Sequence, residues 1–205
     1  LLLIDETHTI STGPSGYCGV HGLEPDMFVL GKPIAGGVPA SVWGFTDAIA
    51  QSWDRIRRHK PAGHSGLGTT LSANALAMAT MRATLTEVMT AAAYAHMESL
   101  AARLAAGLEA TIASWRLPWH VARVGARVEF ICAPGPLKNG TEAMQAHAPE
   151  LEQALHISLL NRGCVIAPFH NMMLVCPATT VAQVDQLVAA FSDSVAALAG
   201  GAAMP

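Results

Sequence analysis

Charged residues are scarce in this chain of 205 residues: Asp, Glu, Lys and Arg together make up 13% of it. Hydrophobic residues make up 51%, which excludes disorder and is enough to bury a sizeable core in one or two domains. The mean hydropathy is +0.34, yet no run of about twenty apolar residues is free of charge or turn residues, so no membrane span is expected. The apolar excess is expected to cover a partner surface instead. The net charge is −3, and the basic residues are dispersed apart from "RIRRHK" at 55–60. That balance gives no electrostatic footprint for nucleic acid, and the short basic cluster reads as a solvated helix end.

Cysteine is scarce too. Cys18, Cys132, Cys164 and Cys176 lie far apart and form no CxxC pair, so neither a zinc site nor a disulfide framework is suggested, and a reducing cytoplasm fits best. His59 and His64 flank "KPAG", a loop and not a helical face, and no metal site is expected there. A secretory signal is also lacking: the chain opens on "LLLID", without an initiator Met or a basic n-region, and that opening reads as truncated.

What is present is a series of short apolar runs. "LLLID" ends in an acid, like a buried parallel strand whose carboxyl end reaches a site. "MFVLG" reads as a second strand and "ASVWGFT" at 40–46 as a third. The first two are separated by "STGPSGYCGVHGLEPD", so thick with Gly and Pro that it must be loop, and long for an idle connection. Leu71 to Met89 predicts a helix with Ser72 as a cap, its Met78, Met81 and Met89 filling core. Ala91 to Trp115 predicts a second helix with Leu100, Leu104, Leu108 and Ile112 on one stripe.

Beyond Pro118 the pattern becomes strand "ARVEFICAP", helix "APELEQALHISLLNRG" closed by Gly163, strands "CVIAP" and "MMLVC", then a helix from "TTVAQVDQLVAAF" capped by Thr179 or Thr180. That order suits a small α+β domain. The expected division is 1–117 and 118–205, with "GGAAMP" as a frayed tail.

The chemistry-bearing residues gather at the ends of these runs: Asp5 and His8 after the first, Lys32 after the second, Thr69 and Thr70 before a helix. In an open α/β sheet such positions converge on one crevice. A phosphate-binding Walker loop does not fit, because its glycines precede the lysine and Ser or Thr follows it, whereas Pro33 follows Lys32 and the Gly36-Gly37 pair comes later. A lysine withdrawn from water favours its neutral form, which condenses with an aldehyde. Pyridoxal phosphate supplies an aldehyde, and needs a carboxylate at its ring nitrogen and donors at its phosphate. Asp5, Lys32 and Thr70 meet those three demands.

The segments "DETHT", "PDMFVLGKPIAGGVPA" and "GTTLSANALAM" resemble class III aminotransferases, a fold-type I family that depends on pyridoxal 5′-phosphate (PLP). The third segment looks closest to the glutamate-1-semialdehyde aminotransferase branch. The resemblance reaches the closing "RGCVIAP" and "ATTVAQVDQLVAAF". It implies an α/β large domain with a mostly parallel sheet and helices, present here as its C-terminal part, followed by a small α+β C-terminal domain. It also implies that Asp5 pairs with the pyridine nitrogen, Lys32 binds the cofactor aldehyde, Thr7 packs on the ring face and His8 reaches the phenolic oxygen. Thr70 would serve the phosphate of a neighbouring subunit, which makes a homodimer part of the site.

The implied activity is transamination between an amine or amino acid and a keto acid or aldehyde. An isomerase on the same scaffold, a 2,1-aminomutase or an epimerase, is the first alternative. Family members begin well upstream of this sequence, so the chain alone is expected to be inactive, and a catalytically inactive remnant is the third reading. "SANA" and "CPATT" depart from the family pattern, and His170 or Asn171 in "PFHNMM" is a candidate for the substrate entrance against the plainer reading of a polar turn.

Overall fold

Two of the apolar runs pair as parallel strands. In the computed structural model, which describes residues 1–64, 66–68, 70–168 and 170–201, β1 (Leu3–Asp5) lies parallel to β2 (Met27–Leu30), with Leu3 opposite Met27 and Asp5 opposite Val29. The third strand, β3 (Val42–Phe45), runs antiparallel to β2, giving the order β1-β2-β3. β1 is an edge strand and is not buried: Leu1, Leu2 and Leu3 are all half or more exposed.

The Gly- and Pro-rich stretch after β1 is more ordered than a loop. It holds a 3-10 turn at Thr9–Thr12 and a short helix α1 (Gly16–His21), stopped by the left-handed Gly22. A helix α2 (Asp47–Arg57) follows β3, and "RIRRHK" closes it in full exposure.

The helix expected from Leu71 starts later. Ala73 has φ 55, outside the right-handed region, so α3 runs Ala75–Ala83 and Asn74, not Ser72, caps it by accepting from the Ala77 N–H at 2.9 Å. A π-helical turn, Thr84–Val88, ends it. Met81 is buried, but Met78 is 50% exposed and is not core. The core of this part is small, built on Ile10, Leu30, Ile34, Ala35 and Met81.

The chain divides into two units, Leu1–Ala93 and Tyr94–Pro205. The break therefore falls at the start of α4 (Ala91–Ser114) and not after it: Leu100, Leu104, Leu108 and Ile112 are buried as one stripe, which places the helix in the core of the second unit. There β4 (His120–Val124), β5 (Arg127–Ile131) and β6 (Met172–Leu174) form an antiparallel sheet in that order. β4 and the short helix α5 (Gly140–Gln145) come in addition to the elements expected from the sequence. "CVIAP" is not a strand; one bond from the Ala167 N–H to the Met172 carbonyl, 3.1 Å, joins it to β6.

Helix α6 (Pro149–Asn161) ends before Gly163, whose φ is 77. Helix α7 (Val181–Gly201) opens with a reciprocal cap: Thr180 Oγ1 accepts from the Gln183 N–H at 3.3 Å and Gln183 Oε1 accepts from the Thr180 N–H at 2.9 Å. Thr179 instead bonds back to Cys176. The last residues of the expected tail, 202–205, lie outside the described residues. Phe130 and Phe191 meet at 4.8 Å between ring centroids at the centre of this unit. No helix among the described residues is long and apolar enough to cross a membrane.

Candidate active site

Parallel pairing brings Asp5 and Lys32 to the same edge of the first sheet. The ladder ends with the Glu6 N–H donating to the Val29 carbonyl at 2.8 Å; Asp5 closes β1, and Lys32 follows β2 by two residues. Lys32 is exposed in this chain. Its backbone is unusual, with φ 48, a left-handed conformation that costs a β-carbon residue energy. Lys32 opens a 3-10 turn, Lys32–Ala35, with Pro33 as the second residue.

Asp5 Oδ1 accepts from the Thr7 N–H at 2.8 Å. Its carboxyl lies below the usual aspartate range, chiefly through hydrogen bonding by the Thr7 side chain and then its N–H, with smaller help from the charges of Lys32 and His8 against a desolvation penalty. The Thr7 hydroxyl also accepts from the Gly31 N–H at 3.2 Å. His8 is half-buried at the head of the Thr9–Thr12 turn, where its carbonyl accepts from Ser11 Oγ at 3.0 Å. Asp5, Thr7, His8 and Lys32 are thus gathered at one edge.

Sequence reasoning missed Glu6. Side chains alternate along a strand, so with Asp5 exposed its neighbour turns inward, and Glu6 is fully buried. Its carboxylate accepts from the Cys18 N–H at 2.6 Å, the Tyr17 N–H at 3.0 Å and the Thr9 hydroxyl. Burial is the largest influence on its pKa and works upward, but the bonds from Cys18, Thr9 and Tyr17 outweigh it and hold the carboxyl below its ordinary value. Gly16 is required beside it: φ is 65, and a β-carbon there would stand 2.9 Å from the Glu6 carboxylate. The Cys18 thiol is pushed up to about 11 by burial and by Glu6. The signal was available in the acid pair "DE" at a strand end.

Thr70 is exposed in the turn that leads to α3, and none of the interactions joining Asp5, Thr7, His8 and Lys32 involves it. Thr69 lies outside the described residues. His170 and Asn171 belong to the second unit. Asn171 is buried and its Nδ2 donates to the Phe130 carbonyl at 3.3 Å, a structural role in a strained turn with φ 61 and 46. His170 lines a cavity of that unit with Glu129, His147 and Glu152.

An exposed primary amine next to a carboxylate held ionised matches the aldehyde and ring-nitrogen ends of PLP. Gly31, buried between Thr7 and Ser41 with no β-carbon of its own, keeps the backbone slim at this edge. Among the described residues no group of three or more His, Cys, Asp or Glu side chains is placed to hold a metal ion.

Residues 1–195 match the profile of the family described as aminotransferase class-III. The chain is 36% identical over 171 residues to a glutamate-1-semialdehyde 2,1-aminomutase of Anaeromyxobacter sp. (strain Fw109-5), covering 82% of this chain and 38% of that protein. A crystal structure of a glutamate-1-semialdehyde-aminomutase from Pseudomonas aeruginosa PAO1 superposes with a TM-score of 0.90 at 52% identity, over 96% of this chain and 44% of that one. A lysine-to-alanine variant of it was solved in complex with PMP. A β-phenylalanine aminotransferase from Variovorax paradoxus matches with a TM-score of 0.83 at 27% identity, over 100% of this chain and 46% of that one. The fold is that of the fold-type I PLP-dependent aminotransferases, and the chain spans less than half the length of these relatives.

Proposed function

This chain belongs to the class-III aminotransferase family, and on that premise we propose that Lys32 and Asp5 are the cofactor-binding pair of a PLP-dependent enzyme. The full-length protein is read as a transaminase that moves an amino group between an amine or amino acid and a keto acid or aldehyde. One observation carries the reading: Asp5 closes β1 and Lys32 lies two residues past the adjacent, parallel β2, both at the carboxyl ends of strands, where α/β sheets bind ligands.

When bound, PLP supplies an aldehyde for the substrate amine and a ring that spreads the charge developing at the substrate carbon. Asp5, held ionised, accepts the ring N–H and keeps that proton in place. Lys32 Nζ would hold the cofactor aldehyde and, as a free amine, would serve as the base that moves the proton of the substrate carbon. His8 is assigned to the phenolic side and Thr7 to the edge between Asp5 and Lys32. Thr70 is assigned to the phosphate of a second copy in a homodimer. Its exposure beside Leu71, Leu76 and Met78, which are 77%, 65% and 50% exposed, supports that assignment, since an apolar surface of this kind is suited to an interface.

A second reading is a 2,1-aminomutase, favoured by the names of the relatives at 36% and 52% identity. Acceptor dependence separates the two: an aminomutase turns over one substrate with no added keto acid. The test of the site itself uses the full-length protein loaded with PLP and reduced with borohydride. The cofactor mass is expected on the peptide that contains Lys32 and is lost in Lys32→Ala. An adduct on another lysine, or one that survives the substitution, sinks the assignment.

A further inference from the structure

Thr7 joins the two strand ends that carry the site. The sheet ladder stops at the Glu6 N–H to Val29 carbonyl bond, and past that point the chains would separate. Thr7 spans the gap: its N–H donates to Asp5 Oδ1 at 2.8 Å, and its Oγ1 accepts from the Gly31 N–H at 3.2 Å. Gly31 is buried and directly precedes Lys32.

A threonine hydroxyl offers one proton and two lone pairs. With the Gly31 N–H on a lone pair, its proton is available to Asp5, and the Thr7 side chain is the largest influence holding the Asp5 carboxyl down. The position of Lys32 makes this bond matter. A lysine at φ 48 keeps that conformation only where its surroundings over-determine it. Pro33, with its fixed φ, holds one side; on the other side the Gly31 N–H has the Thr7 hydroxyl.

We propose that Thr7 is a positioning residue whose hydroxyl, through the Gly31 amide, locks the Lys32 turn and the Asp5 carboxylate into one register. The assignment of Lys32 and Asp5 to a PLP site is the premise for its effect on the cofactor. The clamp itself is a property of the protein without cofactor.

The experiment compares Thr7→Val, which keeps the shape and removes the hydroxyl, with Thr7→Ser, which keeps the hydroxyl, in the full-length protein. Amide hydrogen exchange is read at Gly31 in the cofactor-free protein, with Leu30 as an internal control for folding, and PLP affinity is read by absorbance titration. Thr7→Val is expected to speed Gly31 exchange and to weaken PLP binding, each about tenfold, the size of one lost hydrogen bond. Thr7→Ser is expected to stay within about twofold of wild type in both, because the bonding groups are unchanged. Gly31 exchange in Thr7→Val equal to wild type overturns the clamp, as does a Thr7→Ser variant as impaired as Thr7→Val. If the wild-type protein binds no PLP, the functional reading fails and Gly31 exchange alone decides the clamp.

Discussion

The two units hold themselves together by different means. In the second, Phe130, Phe191, Leu104, Leu108, Leu155 and Leu159 are all fully or almost fully buried, and close packing fixes their positions. In the first, among the described residues, the most fully buried large side chains are the apolar Ile34 and the charged Glu6. Its candidate site is therefore held less by packing than by directed polar bonds: the Glu6 carboxylate gathers the Thr9–Cys18 segment, and Thr7 ties Asp5 to Gly31. In this chain the geometry of the candidate site depends on such bonds, so single-atom changes to the groups that make them should be felt.

The largest effect expected under that comparison is at Asp5. Asp5→Asn keeps an oxygen for the Thr7 N–H and removes the negative charge, so the shape of the site survives while ring protonation is lost. Turnover of the full-length enzyme should fall at least about a thousandfold with part of the cofactor still bound. Steady-state rates with an absorbance measure of bound PLP check this, and near-normal turnover would remove Asp5 from its assigned role.

Much of this was legible in the sequence because it rests on one-dimensional signals. The apolar runs ending in Asp5 and before Lys32, and the four-residue spacing of Leu100, Leu104, Leu108 and Ile112, translate directly into strands and a buried helix face. What was not legible depends on contacts across the chain. Nothing local shows that Ala73 turns left-handed and that α3 starts only at Ala75, with Asn74 as its cap. The acid pair at the end of β1 says that one of the two carboxylates turns inward, but not that the Tyr17 and Cys18 amides meet Glu6. The left-handed turn at Lys32, φ 48, is likewise not revealed by the "GKP" string.

The Glu6 anchor gives the next effect. Glu6→Gln leaves one acceptor for three donors and should cost about 1.5–3 kcal/mol, the range for a bond to a charged group. The dependence on acidity has a definite sign. The carboxyl is held below its ordinary value of 4.5 in the folded protein, so its stabilisation is fully present above that value and is lost as the pH falls through the folded pKa. Denaturant unfolding measured on the acid side should therefore weaken more steeply in wild type than in Glu6→Gln. Equal slopes would mean that the buried carboxylate does not stabilise the fold.

The smallest effect lies in the second unit and is one of stability alone. Gly107 of α4 faces α7 so closely that a β-carbon would come 2.5 and 2.7 Å from the two methyl groups of Val188 and 3.2 Å from its Cβ. Rotating the valine does not clear its own Cβ, and a β-branched residue in a helix has one strongly preferred rotamer, so the helices must shift. Gly107→Ala gains about 1 kcal/mol of helix propensity and loses about 1–3 kcal/mol to overpacking. The net should be a loss of about 1 kcal/mol, with PLP affinity unchanged because no site residue moves. Shortening the opposing side chain supplies the check. In a cycle with Val188→Ala, the double variant should be more stable than the sum of the single changes by about 1 kcal/mol, the coupling expected of residues in contact. Additive effects would mean that the two helices already yield at this crossing, and that the second unit is less tightly packed than its buried core implies.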